Sequence, residues 1–484
     1  MSPEDFRRLG HRLVDWIADY RASIEARPVR SQVEPGWVRD ALARPVPEAP
    51  PEDIDDELSR LIADLDQVIA PGISHFQHPH YYAYFPANAG LASVLGDLVS
   101  TGLGTVGLNW EAAPALTELE TLMCDWYRVL FGLDSGWHGA IHDTASSASL
   151  VAMLCARERA SDFALDRGGV AETEAPLCVY ASQQAHSSID KAVLLAGFGR
   201  KYFVRVPTTA DYAMDPEALD AQIRRDVERG WRPAAVVATV GTTGVTAIDP
   251  IRKLAAVAHT HGVWLHVDAA MAGAAAILPE QRAMFDGLEG ADSVVINAHK
   301  WFGTVFDCSL MYVRDVEHLV RCMSTDPSYL RSRGGDVIQY RNWGLPLGRR
   351  FRALKMWFHL RLEGADAIRT RLREDIEHAA WLQKQVEAEP GWRLVAPRTL
   401  QTVCLRHEPD GWSADEIDAH TLRWVGDINQ SGFAYLTAAK LDGRWMVRVS
   451  IGAEATQRHH VQALWTRMKT AASASKTAGS AATA

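Results

Sequence analysis

The chain has 484 residues, of which 47% are hydrophobic and 23% charged, and its formal net charge is −10 at pH 7. This length exceeds one ordinary hydrophobic core, so a globular protein of two or three domains is expected. Nucleic-acid binding requires a dense basic surface, so the negative charge argues against a nucleic-acid partner. A basic cluster at 349–355 is expected on one helix or at an anionic pocket. The six cysteines lack CxxC spacing, which indicates reduced thiols in the cytoplasm rather than disulfides or zinc.

The first 85 residues predict a helical arm. Ser2 and Pro3 form a helix start signal, and apolar residues then recur at helical spacing, which indicates an amphipathic helix rather than a signal peptide. A second amphipathic helix follows a proline-rich connector at 44–51. No apolar run approaches the length that crosses a bilayer, so no membrane association is expected. Because such an arm cannot bury its apolar faces alone, we expect it to pack on another subunit or on the main body.

Residues 86–350 predict a large α/β domain. Six short apolar segments alternate with helical patterns, and they lie near 177–180, 202–206, 235–239, 263–267, 294–296 and 309–313. Strands that are apolar on both faces and separated by helices are typical of a mainly parallel sheet covered on both sides. In such a sheet, functional groups gather at the carboxyl ends of the strands.

Residues 351–470 predict a small α+β C-terminal domain. This segment contains a long helical stretch around 365–387 and candidate strands near 400–405 and 445–449. The tail, residues 471–484, contains Ala, Ser, Thr and Lys with one Gly, and it is predicted to be flexible.

Polar residues follow several of the predicted strands, and Asp268 and Lys300 are the most informative of them. A lysine at a strand end is most often solvated. Asp268, however, follows a buried strand directly, and a buried carboxylate needs a cationic or donor partner. That partner would be an arginine, a helix cap, or the ring nitrogen of pyridoxal phosphate, which the carboxylate keeps protonated. Lys300 would then bind the cofactor aldehyde through its amine.

A candidate phosphate site precedes these residues in the chain. The segment 139–149 passes from a glycine-containing turn into a helix that starts near Ala145, which places hydroxyl groups and free backbone N–H groups together at a helix amino terminus. Thr144 alone predicts only an ordinary helix cap. Together with Lys300 and Asp268, the segment completes a cradle for a phosphorylated cofactor.

Two competing motifs point to other functions. Residues 102–107 have the G-x-G-x-x-G spacing of a dinucleotide-binding loop, but the preceding segment 91–100 reads as a helix rather than a strand, so a nicotinamide oxidoreductase is a distant alternative. His75, His78 and His80 lie in an aromatic loop without carboxylate or cysteine ligands, which favours aromatic packing over a metal site. A cofactor-free interaction protein that retains only the fold is the third hypothesis.

Seven short motifs are distributed along the chain, at 84–86, 117–120, 184–188, 241–243, 266–270, 297–301 and 346–352. Together they resemble the motifs of the group II pyridoxal-phosphate decarboxylases, and among these the aromatic-L-amino-acid decarboxylases. The resemblance extends from the first helix to about residue 470. It implies a fold-type-I PLP-dependent transferase-like large domain, the cofactor pyridoxal 5'-phosphate (PLP), and a homodimer whose active sites are shared between subunits.

The resemblance also implies roles for individual residues. Lys300 would hold the cofactor, Asp268 would pair with its ring nitrogen, His186 would stack over the ring and Ala270 would lie beneath it. Contacts around the phosphate are expected from Ala145, Ser146, Asn297 and His299. Thr144 and Thr243 are expected near the cofactor.

Tyr329 corresponds to the family's catalytic-loop tyrosine and is expected to return a proton to the substrate carbon after carbon dioxide leaves. Aldehyde synthases of the same family react with oxygen instead, and they typically carry Phe in place of this tyrosine or Asn in place of the stacking histidine. Because the chain has both Tyr329 and His186, decarboxylation to the amine is favoured over aldehyde synthesis.

The expected substrate pocket is apolar and aromatic, which disfavours glutamate and favours an aromatic amino acid over a non-aromatic one. Gly348 matches the small residue of indole-accepting plant relatives, so tryptophan is favoured over tyrosine, DOPA and phenylalanine. Met271 stands where animal relatives have Tyr, which is a departure from the family pattern. The other pocket residues are Phe76, Tyr84, Phe85 and Pro86, together with Val106 and Leu108 from the partner subunit.

Overall fold

The computed structural model describes residues 1–325 and 337–481. Tyr329 lies outside the described residues. The chain forms two compact units. The small unit comprises Met1–Pro86, Trp381–Leu394 and Leu405–Ala484, and the large unit comprises Ala87–Ala380 and Val395–Cys404. Within the described part of the chain, no helix combines the length and the apolar character that a membrane span requires.

The N-terminal arm begins as the sequence predicts. Its helices are α1 (Pro3–Ala22), α2 (Trp37–Ala41) and α3 (Ile54–Asp64). The Ser2 hydroxyl accepts a hydrogen bond from the Asp5 backbone N–H, and the Asp5 side chain accepts one from the Ser2 backbone, which completes a capping box. The Asp53 side chain caps α3 in a similar way.

A seven-stranded sheet forms the centre of the large unit. Its strands are β1 (His138–His142), β2 (Leu177–Ser182), β3 (Phe203–Val206), β4 (Arg232–Thr239), β5 (Trp264–Asp268), β6 (Ser293–Ile296) and β7 (Ser309–Val313). Their order is β1-β7-β6-β5-β4-β2-β3. The neighbouring pairs β6-β5, β5-β4, β4-β2 and β2-β3 are all parallel. Strand β7 pairs antiparallel with β6 and with β1. The mainly parallel sheet is therefore confirmed.

The helices of the large unit alternate with these strands. They are α4 (Leu91–Leu103), α5 (Pro114–Leu130), α6 (Ala145–Ala160), α7 (Ser187–Leu195), α8 (Pro216–Glu228), α9 (Ile251–His261), α10 (Val316–Met323) and α11 (Ala353–Ala388). Helix α6 is the most deeply buried of them and packs in one hydrophobic core with the sheet residues Val179, Val237 and Val295.

Strand β1 was missed by the sequence analysis, which read its residues as part of a turn. Gly139 lies within this strand, next to the Tyr312 ring on β7. The position requires glycine, because an added Cβ atom would come within 2.6 Å of that ring. A glycine that signals a turn in sequence is here required by close packing between neighbouring strands.

The last part of the chain forms a second, antiparallel sheet with flanking helices. Its elements are β8 (Trp392–Leu394), β9 (Thr402–His407), α12 (Ala414–Gln430), β10 (Thr437–Leu441), β11 (Arg444–Ser450) and α13 (Arg458–Ala481), and the strand order is β10-β11-β9-β8. The compact units divide at Ala380, whereas the sequence analysis divided the chain at 350. Helix α13 extends across most of the segment that was predicted to be a flexible tail.

Candidate active site

The carboxyl ends of β4, β5 and β6 meet at one edge of the large sheet. Thr239 at the end of β4 pairs in register with Asp268 at the end of β5, and Asp268 pairs with Val295 near the end of β6. Because these strands are parallel, the residues that follow each of them share this edge. Asp268 and Lys300 are thereby brought to the same edge, as the sequence predicts.

Lys300 lies in the turn Ala298–Phe302 that follows β6, and its backbone departs from helical geometry, with φ −98° and ψ −121°. Its side chain is half-buried. Desolvation lowers the pKa of Lys300, while the neighbouring Asp268 carboxylate opposes that shift by favouring the cation. A lowered pKa increases the neutral fraction of the amine, which is the form that attacks an aldehyde.

Helix α11 holds the turn around Lys300 in place. The buried Trp301 indole donates a hydrogen bond of 2.8 Å to the Asp375 carboxylate. The Arg371 guanidinium donates to the carbonyl oxygens of Trp301 and Phe302, at 3.1 and 2.7 Å. Neither α11 residue was predicted from the sequence, because a charged pair spaced i, i+4 in a charge-rich helix is typical of a solvated surface.

Asp268 ends β5 with only 5% of its surface exposed. One carboxylate oxygen accepts a hydrogen bond from the Ala270 backbone N–H at 3.0 Å. The carboxylate also acts electrostatically on both Lys300 and His186, and for each it opposes the lowering of the pKa that burial causes. A buried carboxylate at this edge is suited to hold a proton on a ring nitrogen, because it lacks the bulk water that would otherwise stabilise it.

His186 is the N-cap of α7, and its position is fixed by that role. The ring Nδ1 accepts a hydrogen bond from the Ser188 backbone N–H at 3.1 Å, so the ring proton of a neutral imidazole lies on Nε2. Burial and the nearby Lys300 lower the pKa of His186, against the opposing effect of Asp268. A neutral ring near Lys300 is suited to stack on a planar cofactor and to donate through Nε2.

The amino terminus of α6 is tied to the end of β6. Thr144 is the N-cap of α6, and the Ala145 backbone N–H donates to the Asn297 side-chain oxygen at 3.1 Å. Ser146 follows in the first turn, where backbone N–H groups and the helix dipole favour an anion. The structure therefore brings together Ala145, Ser146 and Asn297, three of the residues that were expected around the phosphate.

His299 adds a further donor beside Lys300. Its Nδ1 accepts from the Cys308 backbone N–H at 2.9 Å, which leaves the ring proton on Nε2. Burial, with help from the Lys300 charge, lowers the pKa of His299 to about 4. His299 is therefore neutral at pH 7.

Thr243 and Ala270 complete the set of predicted cofactor residues in the large unit. Thr243 follows the tight turn at Gly241, whose φ of +82° and close approach to Ala272 both require glycine. The Ala270 carbonyl accepts from the Asn297 backbone N–H at 3.0 Å, so this small side chain is fixed between Asp268 and Asn297. A half-buried lysine near a buried carboxylate, a helix amino terminus and small residues together form a donor set that fits PLP.

Three of the predicted substrate residues lie together in the large unit. A Cβ atom added to Gly348 would come within 3.2 Å of the Val106 side chain and 3.8 Å of the Leu108 side chain. The loops are joined by two backbone hydrogen bonds between Gly107 and Arg349, at 2.8 and 3.1 Å. Gly107 therefore serves packing, because it also abuts Leu116, and the loop follows a helix, which argues against dinucleotide binding.

The remaining predicted substrate residues, Phe76, Tyr84, Phe85 and Pro86, belong to the small unit. Tyr84 is unusual because it is 54% exposed and adopts a left-handed backbone conformation, with φ +52°. Its backbone N–H donates to Thr437 at 2.7 Å, and its carbonyl accepts from Arg448 at 3.1 Å. Strain maintained by such contacts is typical of side chains presented for function.

The basic cluster at 349–355 proves to be structural. The three arginines precede α11 rather than share a helix, and they pair with separate acids. Arg349 contacts the buried Glu120 at 2.6 Å, Arg350 contacts Asp97 at 2.8 Å and Arg352 contacts Asp307 at 2.9 Å. The expectation that the cluster lies on one helix was therefore wrong, and the three arginines instead pair with acidic side chains of the large unit.

The His75, His78 and His80 loop packs through its rings, as the sequence analysis favoured. His75 is hydrogen bonded to Tyr20 at 2.7 Å, and the His80 ring lies 4.6 Å from the Phe433 ring. Burial lowers the pKa of His75 to about 4 and that of His80 to about 3, so both rings are neutral at pH 7.

Comparison with known proteins gives the family. The sequence pattern described as the pyridoxal-dependent decarboxylase conserved domain matches residues 41–408. The chain belongs to the pyridoxal-dependent decarboxylase family. It is 40% identical to tryptophan decarboxylase 2 of Oryza sativa over 96% of this chain and 94% of the relative. It is 39% identical to phenylacetaldehyde synthase of Arabidopsis thaliana over 96% of this chain and 95% of that protein.

Solved structures agree with this membership. The crystal structure of Catharanthus roseus tryptophan decarboxylase in complex with L-tryptophan superposes with a TM-score of 0.91, at 34% identity, and covers 98% of this chain and 99% of that one. The predicted fold-type-I architecture, the PLP cofactor and the assignment as a PLP-dependent decarboxylase are therefore confirmed.

Proposed function

We propose that this enzyme decarboxylates aromatic L-amino acids, with tryptophan favoured over tyrosine, DOPA and phenylalanine, and releases the arylalkylamine and carbon dioxide. The observation that carries this proposal is the joint placement of Lys300, Asp268 and His186 at the carboxyl edge of the sheet, in a chain that shares 40% identity with a tryptophan decarboxylase.

Each residue at the edge contributes a separate function. Bound PLP supplies the electron sink for the pair that remains when carbon dioxide departs. The Lys300 amine would hold the cofactor through its aldehyde. Asp268 would keep a proton at the ring nitrogen. His186 would stack on the ring and offer its Nε2 proton to the substrate. Ala145, Ser146 and His299 would surround the phosphate, with Thr144, Asn297, Thr243 and Ala270 supporting them.

Return of a proton to the substrate carbon decides between amine and aldehyde. We assign this proton to Tyr329, by resemblance to the family's catalytic-loop tyrosine. The similarity to a phenylacetaldehyde synthase supports aldehyde synthesis as the second candidate function. The presence of both Tyr329 and His186 favours protonation, and therefore the amine.

Apolar surroundings and a missing side chain support an aromatic substrate. Val106 and Leu108 are half-exposed and apolar, and Gly348 beside them leaves space that any Cβ atom would begin to fill. Neither Val106 nor Leu108 can neutralise the side-chain carboxylate of a substrate, which disfavours an acidic amino acid. The name of the rice relative adds support for an indole side chain.

A homodimer with shared active sites is the assembly that we propose. Leu91, Leu95 and Leu98 lie one helical turn apart on α4 and are each about half-exposed, and the neighbouring Leu103 is more exposed still. A stripe of this kind on a surface helix indicates contact with another chain. We propose that it pairs with a second subunit, and that each subunit supplies Val106 and Leu108 to the substrate pocket of its partner.

Hybrid dimers test the proposed sharing. Lys300→Ala and Leu108→Arg, each inactive alone, are co-expressed with different tags and purified through both tags. If the lysine and Leu108 serve the same site from different subunits, one site of each hybrid contains both defects and the other contains neither, so about half of the wild-type activity returns. An inactive hybrid, or a monomer by sedimentation, would contradict shared sites but leave the chemistry at Lys300 untouched.

A further inference from the structure

A second cluster of reactive side chains lies away from the candidate active site, between α6 and α10. Cys155 is buried in α6, whereas His318 and Cys322 lie one turn apart on α10. One sulfur or nitrogen atom from each of the three side chains lies within 4.8 Å of the other two. Cys322 is partly exposed and the other five cysteines are buried, so it is the cysteine that solutes reach first.

The hydrogen bonds of His318 distinguish between a metal site and a thiol pair. Its Nε2 lies 2.8 Å from the Cys155 backbone carbonyl oxygen and 3.5 Å from the Cys322 sulfur. A carbonyl oxygen only accepts, so Nε2 carries a proton that it donates. A nitrogen with a proton has no lone pair for a metal ion, whereas its N–H group stabilises a neighbouring thiolate.

Electrostatics make the two thiols unequal. The hydrogen bond from Cys155, joined by that from His318, lowers the pKa of Cys322 to about 6 in spite of burial. The same bond to Cys322, together with burial, raises the pKa of Cys155. Burial lowers the pKa of His318, but the hydrogen bonds of this imidazole to Cys322 and to the Cys155 carbonyl oxygen outweigh burial and raise the pKa. The other charges that act on the cluster are those of Glu158, Arg159 and Asp315.

We propose that Cys155 and Cys322 are a peroxide-sensitive thiol pair that converts reversibly to a disulfide. The exposed Cys322 thiolate attacks a peroxide oxygen, which breaks the O–O bond and gives a sulfenic acid and hydroxide. The Cys155 thiol loses its proton to that hydroxide, which becomes the first water, and the resulting thiolate attacks the Cys322 sulfur. The S–S bond forms and the second oxygen leaves as hydroxide, which takes back from solvent the proton that Cys322 released on ionisation and becomes the second water. Two thiols are thus oxidised while one hydrogen peroxide is reduced to two waters, and an added dithiol reverses the reaction.

The surroundings favour closure of this bond. A disulfide requires the sulfur atoms to approach to about 2 Å. Cys155 is fixed within buried α6, whereas Cys322 lies in the last turn of α10, next to its final residue Met323. The Phe163 and Trp264 rings lie 5.0 and 5.6 Å from the His318 ring and hold the imidazole against the thiols.

Peptide mapping of the holoenzyme tests the pair. The protein is treated at pH 7 with a small excess of hydrogen peroxide, alkylated, and digested without reduction. We expect a peptide that links 155 to 322, a loss of two titratable thiols per chain, and recovery of both with dithiothreitol. Cys322→Ser should abolish the link, Cys155→Ser should leave a sulfenic acid that dimedone traps at Cys322, and the buried control Cys404→Ser should behave as the wild type.

A kinetic measurement needs no cysteine variant. We expect iodoacetamide to label Cys322 before the other five cysteines, and His318→Asn to slow that labelling at pH 7 by about tenfold or more. Labelling of Cys322 at the rate of a buried thiol, or a peroxide-induced link elsewhere, would overturn the proposal. Retention of one zinc ion per chain after dialysis against added zinc, lost in Cys322→Ser and accompanied by resistance to peroxide, would identify a metal site instead.

Discussion

Replacement of Asp375 by Asn tests how the lysine-bearing turn is held. The carboxylate is buried against the Trp301 indole, and burial raises the pKa of Asp375 to about 7 from an ordinary value of 3.8, although Arg371 and the indole oppose the shift. The native protein therefore keeps a proton that the unfolded chain loses near pH 4. Stability from this residue is present below pH 4 and is lost as the pH rises to 7.

The size of the effect follows from the shift. Each pKa unit corresponds to about 1.4 kcal/mol, so the native state loses roughly 4 kcal/mol from this group between pH 4 and pH 7. Asparagine keeps an acceptor for the indole and has no proton to lose. The Asp375→Asn holoenzyme should come closest to the wild type near pH 4 and exceed its free energy of unfolding by a growing margin up to pH 7.

Urea denaturation followed by far-UV circular dichroism at half-unit pH steps measures this difference. Asp366→Asn is the matched control, because Asp366 lies on the same helix and its almost fully exposed side chain pairs with Arg369. Its difference from the wild type should be small and independent of pH. A difference for Asp375→Asn that does not change with pH would refute the reasoning, because the carboxylate would then be ionised throughout.

Three further predictions concern the pocket, the buried ion pair and the reaction branch. Gly348→Ala should reduce kcat/KM for tryptophan by about tenfold more than for tyrosine, since the new methyl group approaches Val106, and equal losses would contradict a role in ring size. Glu120→Gln should lower the free energy of unfolding by about 3 kcal/mol, because the buried Arg349 charge loses its partner. Adding Arg349→Met to that variant should recover part of the lost free energy. If the double variant instead shows a further loss of stability that adds to the first, the pairing is contradicted. Tyr329→Phe should divert product from amine to aldehyde with release of peroxide, and unchanged amine formation would exclude Tyr329 as the proton donor.

The sequence was sufficient for those features whose signals are local. Short segments that are apolar on both faces predicted six of the seven strands of the large sheet. The position of Asp268 directly after one of these segments located the functional edge of that sheet. Thr144 was identified as a helix cap for the same reason, since capping depends on neighbouring residues alone.

The remaining features depend on contacts distant in sequence. Arg371 and Asp375 hold the Lys300 turn from about seventy residues away, and nothing in their own helix distinguishes them from solvated charges. The contact of Gly348 with Val106 requires two loops to pair across more than two hundred residues. Gly139 resembles a turn residue until the Tyr312 ring beside it is known.

Quantification of products from a panel of L-amino acids tests the central claim most directly. The holoenzyme is incubated with tryptophan, tyrosine, DOPA, phenylalanine and glutamate, and carbon dioxide, amine, aldehyde and peroxide are measured together. We expect carbon dioxide and amine in equal amounts from the aromatic substrates, with tryptophan preferred, and neither product from Lys300→Ala. Preference for glutamate, or carbon dioxide accompanied by aldehyde and peroxide in place of amine, would contradict the account.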